Sequence, residues 1–291
     1  MSQTASLFID SRCRLGEGPF WHHLRQQFFC FDILEMTLFA TDAEGSIVGK
    51  WTFDRFPSAA GIIDKDTLLV AQAGSLLQLD LTTGAKTHLI DLEPDLPGNR
   101  SNDGRVNPAG GLWVGTMAQD EVAYSGSVYQ YRGGVLKKLF GDIRIPNSTC
   151  FSPDGTIAYF TDTPNKIIMQ REINPATGEP VGFWTVFADT AALPGAPDGS
   201  VVDAEGYLWN ARWGGNRVIR FAPDGTVDRE VLLPVSQVTC PAFGGPDLTT
   251  LYISSASKTL SPEALAREPH AGSVFALELD VAGQQESLIK L

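Results

Sequence analysis

The sequence predicts an all-β fold, a six-bladed β-propeller with four antiparallel strands per blade. Three observations carry that prediction: a turn-then-strand marker that recurs six times, a regular spacing between its copies, and turn residues spread along the whole chain. The clearest copies read Asn107-Pro-Ala-Gly-Gly-Leu-Trp-Val, Ser152-Pro-Asp-Gly-Thr-Ile-Ala-Tyr-Phe, Asp203-Ala-Glu-Gly-Tyr-Leu-Trp-Asn and Gly245-Pro-Asp-Leu-Thr-Thr-Leu-Tyr-Ile. Fainter copies stand at Asp64-Lys-Asp-Thr-Leu-Leu-Val and Arg25-Gln-Gln-Phe-Phe-Cys-Phe. Sharing 291 residues among six copies gives about 48 each, close to the ~40–50 residues of a propeller blade.

Each copy is followed by a second strand with period-two alternation. In chain order these strands begin at Thr37, Ser75, Ser127, Lys166, Arg217 and Ser273. The 18 prolines and 29 glycines are not pooled in one stretch, which favours many short strands over long helices. Pro262-Glu-Ala-Leu-Ala-Arg is the one segment expected to form a short helical turn. The N-terminal strand Ser6-Leu-Phe-Ile-Asp is expected to close the ring by pairing with the last blade. No linker divides the chain, so residues 1–291 are expected to form one domain.

Bulk properties narrow the function. The net charge is −12 with no run of Lys or Arg, so a nucleic-acid partner is not expected. No apolar stretch approaches the ~18 residues of a membrane span, and Met1 to Asp10 lacks a basic-then-apolar leader. Cys13, Cys30, Cys150 and Cys240 lie far apart without a Cys-x-x-Cys pair and read as free thiols. A reduced, cytoplasmic setting is the expectation, with no membrane contact and no protein partner inferred.

Residues at equal phase in each repeat converge on the propeller axis. Aligning the copies on Phe28, Leu68, Leu112, Ala158, Leu208 and Leu251 and stepping back ten or eleven residues reaches Glu17, Ser58, Asn102, Asn147, Asp198 and Cys240 or Pro241. Two carboxylates and two amides therefore fall at the channel mouth, on the loops expected to enter the first strands. Such an oxygen set without His or Cys suits a hard cation. The competing reading is that Asn-Asp-Gly and Pro-Asp-Gly are ordinary turn formers. His22, His23, His88 and His270 miss the channel phase, so neither a catalytic triad nor a histidine-zinc site is expected. Trp113, Trp209 and Trp213 read as packing residues, with Trp213 the candidate for a pocket wall; Met117 reads as core or channel wall.

At these segments the chain resembles the regucalcin, gluconolactonase and luciferin-regenerating enzyme family. The matching stretches include Arg14-Leu-Gly-Glu-Gly-Pro-Phe-Trp, Asn99-Arg-Ser-Asn-Asp-Gly-Arg-Val, Gly115-Thr-Met, Pro146-Asn, Pro197-Asp-Gly, Trp213-Gly-Gly-Asn-Arg-Val and Pro241-Ala-Phe-Gly-Gly-Pro-Asp-Leu, in family order. The resemblance implies a propeller with one divalent cation held by Glu17, Asn147 and Asp198. Ca²⁺ ranks first, with Zn²⁺, Mn²⁺ or Mg²⁺ as alternatives. It also implies that Arg100 and Asn102 face the substrate, with an acidic residue after Gly-Thr-Met; Asp120 fits that place best and Glu121 is its neighbour. One departure stands out: many relatives have Gly after the fourth-blade asparagine, where this chain has Ser148-Thr149.

The implied activity is hydrolysis of a small-molecule sugar lactone, an aldonolactone or aldarolactone, with the cation as Lewis acid and Asp198 as general base. Two other readings stay open: a phosphotriesterase-like ester hydrolase and a non-catalytic calcium-binding propeller.

Overall fold

The computed structural model describes residues 3–291. Six sheets of antiparallel strands follow one another in chain order, as the repeat predicts. The innermost strands are Gly16–His22, Pro57–Ile62, Asn99–Val106, Pro146–Phe151, Ala196–Val202 and Val238–Gly244. The six alignment anchors all lie on the second strand of their blade, and each is wholly buried. The period-two strands form the third position, such as Thr37–Thr41 and Arg217–Phe221.

The sixth sheet takes its outer strand from the N-terminus. Ser6–Ile9 pairs antiparallel with Val274–Glu278, with Leu7 opposite Phe275. Gln3–Thr4 runs on to pair in parallel with Val227–Leu232 of the fifth sheet. Pro262–Arg267 forms the expected short helix, capped by the Ser261 hydroxyl accepting from the Ala264 N–H. No helix of the described residues is long and apolar enough to cross a membrane.

The apolar core is not one mass. It is divided into clusters, each shared between neighbouring blades. Trp21, Phe28 and Tyr252 join the sixth blade to the first, and Trp113, Phe151 and Phe160 join the third to the fourth. This arrangement leaves the axis itself polar.

One end of the axis is closed by a segment the repeat does not announce. Beyond the last strand the chain crosses beneath the ring, where Gln284 Nε2 donates to the carbonyls of Phe151 and Val202 at 3.2 and 2.9 Å. Glu286 forms an ion pair with Arg105, and Leu288 bridges to Ile62. The opposite end is open, and there the site lies.

Candidate active site

Every innermost strand breaks register with its neighbour at the same phase. The breaks fall between Glu17 and Phe20, Pro57 and Ala59, Ser101 and Gly104, Asn147 and Cys150, Pro197 and Ser200, and Val238 and Pro241. A bulge frees residues from the ladder and re-aims their side chains. Stepping back from the anchors therefore lands on these bulges, within the innermost strands and not on the loops before them. Gly18 shows why glycine stands at the first: its φ is +52°, and a Cβ there would meet the Ser58 carbonyl oxygen at 2.3 Å.

Glu17, Arg100, Asn102, Asn147 and Asp198 line one cavity of about 190 Å³ at the open end. That is below the ~300 Å³ at which pockets for drug-sized ligands begin, so a single sugar ring is the scale it suits. Ser58 and Cys240, reached by the same alignment, are buried but do not line it; Ser58 donates to the Ser101 hydroxyl at 2.8 Å. Leu15, Met117, Ile145 and Trp213 supply an apolar wall.

The structure does not bring Asp120, the residue expected to reach substrate, into the cavity. Asp120 is exposed and accepts from the Val122 N–H at 3.0 Å, closing the turn outside the cavity. Glu121 lines the cavity instead, because its backbone takes a left-handed φ of +61° and swings the side chain inward. Its carboxylate forms an ion pair with Lys258 from the sixth blade and lies 3.8 Å from Arg100 Nη2.

A chain of hydrogen bonds sets the direction of the amides. The Thr163 hydroxyl donates to the Pro197 carbonyl at 2.9 Å, so it can only accept from Asn147 Nδ2, also at 2.9 Å. Asn147 Oδ1 is thereby turned the other way, where it accepts from Asn102 Nδ2 at 3.1 Å and keeps one lone pair free. Asn102 Nδ2 also donates to the Pro146 carbonyl at 2.9 Å, and Asn102 Oδ1 accepts from Arg100 Nη1 at 2.7 Å. Asn102 thus orients its neighbours with both its donors. Thr163 lies on the short turn Thr163–Asn165 after a second strand, outside the repeat phase, and no sequence signal pointed to it.

The electrostatics are strained in one sense. Burial pushes the Glu17 carboxyl up to about 8, and the nearby Asp103 carboxylate adds to the shift. Burial also raises Asp198 well above the carboxylate range, followed by repulsion from Glu17 and Asp103. Among the described residues neither Glu17 nor Asp198 forms an ion pair, although both are about nine-tenths or more buried. Asp103, which the sequence did not single out, accepts from the Thr149 N–H at 2.6 Å. Two buried carboxylates and an amide oxygen with one lone pair unused, around one cavity, fit a hard divalent cation, whose charge would offset theirs.

Fold and site together define a propeller with an acid- and amide-lined pocket at the open end of its axis. The chain belongs to the SMP-30/gluconolactonase/LRE-like family, whose model matches residues 15–257. It is similar to the L-arabinolactonase of Azospirillum brasilense, at 38% identity over 96% of this chain and 93% of that protein. It is also similar to the 6-deoxy-6-sulfogluconolactonase of Pseudomonas putida, at 32% identity over 99% of both. Among solved structures, the calcium-binding protein regucalcin of Agrobacterium tumefaciens superposes with a TM-score of 0.97 at 40% identity, covering 100% of this chain and 99% of that one.

Proposed function

We propose that this chain hydrolyses a sugar-acid lactone to the free acid with the help of one divalent cation. The observation that carries the reading is the pair of buried carboxylates, Glu17 and Asp198, facing a sugar-sized cavity with neither in an ion pair, although Arg100 and Lys258 line the same cavity. The lactonase names of the relatives support the reaction class. The calcium-binding name of the regucalcin neighbour and the all-oxygen donor set support Ca²⁺ as the first candidate ion.

Glu17, Asn147 and Asp198 would hold the cation, which when bound supplies Lewis-acid polarisation of the lactone carbonyl. Arg100 retains Nη2 for the substrate, since its Nη1 is spent on Asn102 and on the Ser101 carbonyl at 3.0 Å. With Glu121 and Lys258 it offers donors and an acceptor to the sugar hydroxyls. The apolar wall, Trp213 included, takes the less polar face of the ring. Asp198 accepts a proton from the attacking water as the water oxygen bonds to the carbonyl carbon. It returns that proton to the ring oxygen as the carbon–oxygen bond breaks. A reducing, cytoplasmic setting goes with this reading, supported by four buried cysteines that form no disulfide.

The test is lactone opening followed as proton release in weak buffer near neutral pH, over aldono- and aldarolactones. Metal-stripped protein is compared with protein given Ca²⁺, Mn²⁺ or Zn²⁺. Cation-dependent turnover of one lactone is the expected result. No turnover across the panel, with a bound cation demonstrated, would sink the lactonase reading.

A further inference from the structure

The site rests on a hydrogen-bonded seam between the fourth and fifth blades. Asp198 lies in a bulge: the ladder jumps from Pro197 opposite Arg212 to Ser200 opposite Asn210, so Asp198 has no paired residue to fix its backbone. Ser148 lies in the corresponding bulge of the fourth blade, between Asn147 and Cys150. Its hydroxyl donates to the Asp198 carbonyl at 2.6 Å. The same oxygen accepts from the Ser200 hydroxyl at 3.0 Å and from Asn210 Nδ2 at 3.1 Å. One donor and two acceptor positions are all a hydroxyl has, and each is used.

Asn210 is itself fixed. Its Nδ2 also reaches the Asp198 carbonyl and the Ser200 hydroxyl, both at 3.0 Å, and its Oδ1 accepts from Arg212 Nη1 at 3.1 Å. Arg212 is wholly buried and anchored on the carbonyls of Pro194 and Gly195, each at 3.0 Å. Ser148 reaches this seam with a backbone φ of +59°, a left-handed conformation that glycine adopts freely and serine adopts at a cost. A side chain kept there, fully buried and with every hydrogen bond used, gives something a glycine cannot.

We propose that Ser148 is a positioning residue for the reaction. Its hydroxyl replaces the missing ladder contact of Asp198 and so fixes the direction of the Asp198 carboxylate, while its left-handed turn presents Asn147 to the same cavity. The role in turnover rests on the lactonase reading; the role in holding the ligand set does not.

The experiment uses the full chain as wild type, Ser148→Gly and Ser200→Ala. Three quantities are read for each: the urea midpoint of the metal-stripped protein, its affinity for Mn²⁺ by calorimetry, and kcat and KM on the best lactone. Ser148→Gly is expected to leave the urea midpoint close to that of wild type, because relief of the left-handed backbone offsets the cost of hydrogen-bond partners left short. Its Mn²⁺ affinity and kcat should each fall about tenfold, the scale seen when groups behind metal ligands are removed. KM should stay within about twofold, since no sugar contact is lost. Ser200→Ala, which leaves the left-handed turn untouched, should lose affinity in the same direction by a smaller factor. Mn²⁺ affinity and kcat of Ser148→Gly both within about twofold of wild type would overturn the proposal. So would losses matched by a fallen urea midpoint, which would make the hydroxyl a matter of stability alone. If wild type opens no lactone, the lactonase reading fails, and the Mn²⁺ measurement still decides the role of Ser148.

Discussion

Asp32 in the first blade and Asp162 in the fourth hold equivalent segments in the same way. Each ends the second strand of its sheet, opposite Gly16 and Pro146 respectively. Asp32 accepts from the N–H groups of Arg14 and Leu15 at 2.9 and 3.1 Å; Asp162 accepts from those of Arg144 and Ile145 at 3.3 and 2.8 Å. The two carboxylates thereby fix the approach of the chain to Glu17 and to Asn147, whose side chains face the same cavity from different blades.

Replacing Asp162 by Ala should therefore loosen Asn147 without touching it. Two backbone donors lose a charged acceptor, which costs about 2 kcal/mol or more of stability. Urea denaturation of the metal-stripped protein reads that loss. Cation affinity should weaken about tenfold in parallel. Unchanged affinity in Asp162→Ala would mean that Asn147 is held from elsewhere or is not a ligand.

Asp198→Asn should separate stability from activity. The substitution replaces one of two buried, mutually repelling carboxyl groups by a group that never ionises, so the metal-stripped variant should melt above stripped wild type. Lactone opening should nonetheless be abolished, because the group that takes the proton is gone. A variant with near wild-type turnover would remove Asp198 from the proposed chemistry.

Cation binding should itself raise the melting temperature of wild type. A ligand at a hundred times its dissociation constant adds about 2.7 kcal/mol to the folded state. For a chain of this size that corresponds to a shift of about 4 °C, readable by scanning calorimetry with and without Ca²⁺. A melting curve indifferent to every divalent cation would remove the metal from the proposal.

Glu121 and Asp120 are neighbours with opposite expectations. Glu121→Gln removes the charge that faces Lys258 and Arg100 in the cavity, and KM for the lactone should rise about tenfold. Asp120→Asn alters an exposed turn and should leave both kinetic constants within about twofold. The reverse order of effects would restore Asp120 as the substrate-facing residue.

His22 should make the fold acid-sensitive. It is wholly buried against Phe29, with ring centroids 5.6 Å apart, and burial lowers its pKa from 6.5 to about 4, with Arg25 adding to the shift. Its unfolded form binds a proton at higher pH than its folded form. The stability it preserves is thus complete above pH 6.5 and drains away as pH falls toward about 4. His22→Leu should flatten the fall in urea midpoint across that window. An equally steep fall in the variant would assign the acid sensitivity to other groups.

The sequence by itself determined the six-bladed fold and the phase of each repeat, and five of the six residues it singled out line one cavity. That is because a propeller repeats one hydrophobic pattern, and buried anchors such as Leu68 and Leu208 reappear at equal phase with fixed relations to the innermost strand. Tertiary structure decided the rest. Whether Asp120 or Glu121 faces inward depends on a single left-handed residue, and side-chain direction reverses within one position of a turn. The orientation of Asn147 is set by Thr163, and the backbone of Asp198 is held by Ser148, from a different blade. The C-terminal closure of the axis carries no repeat signal. These contacts join bulges in which the ladder no longer dictates where a side chain points, so only the closed ring could fix them.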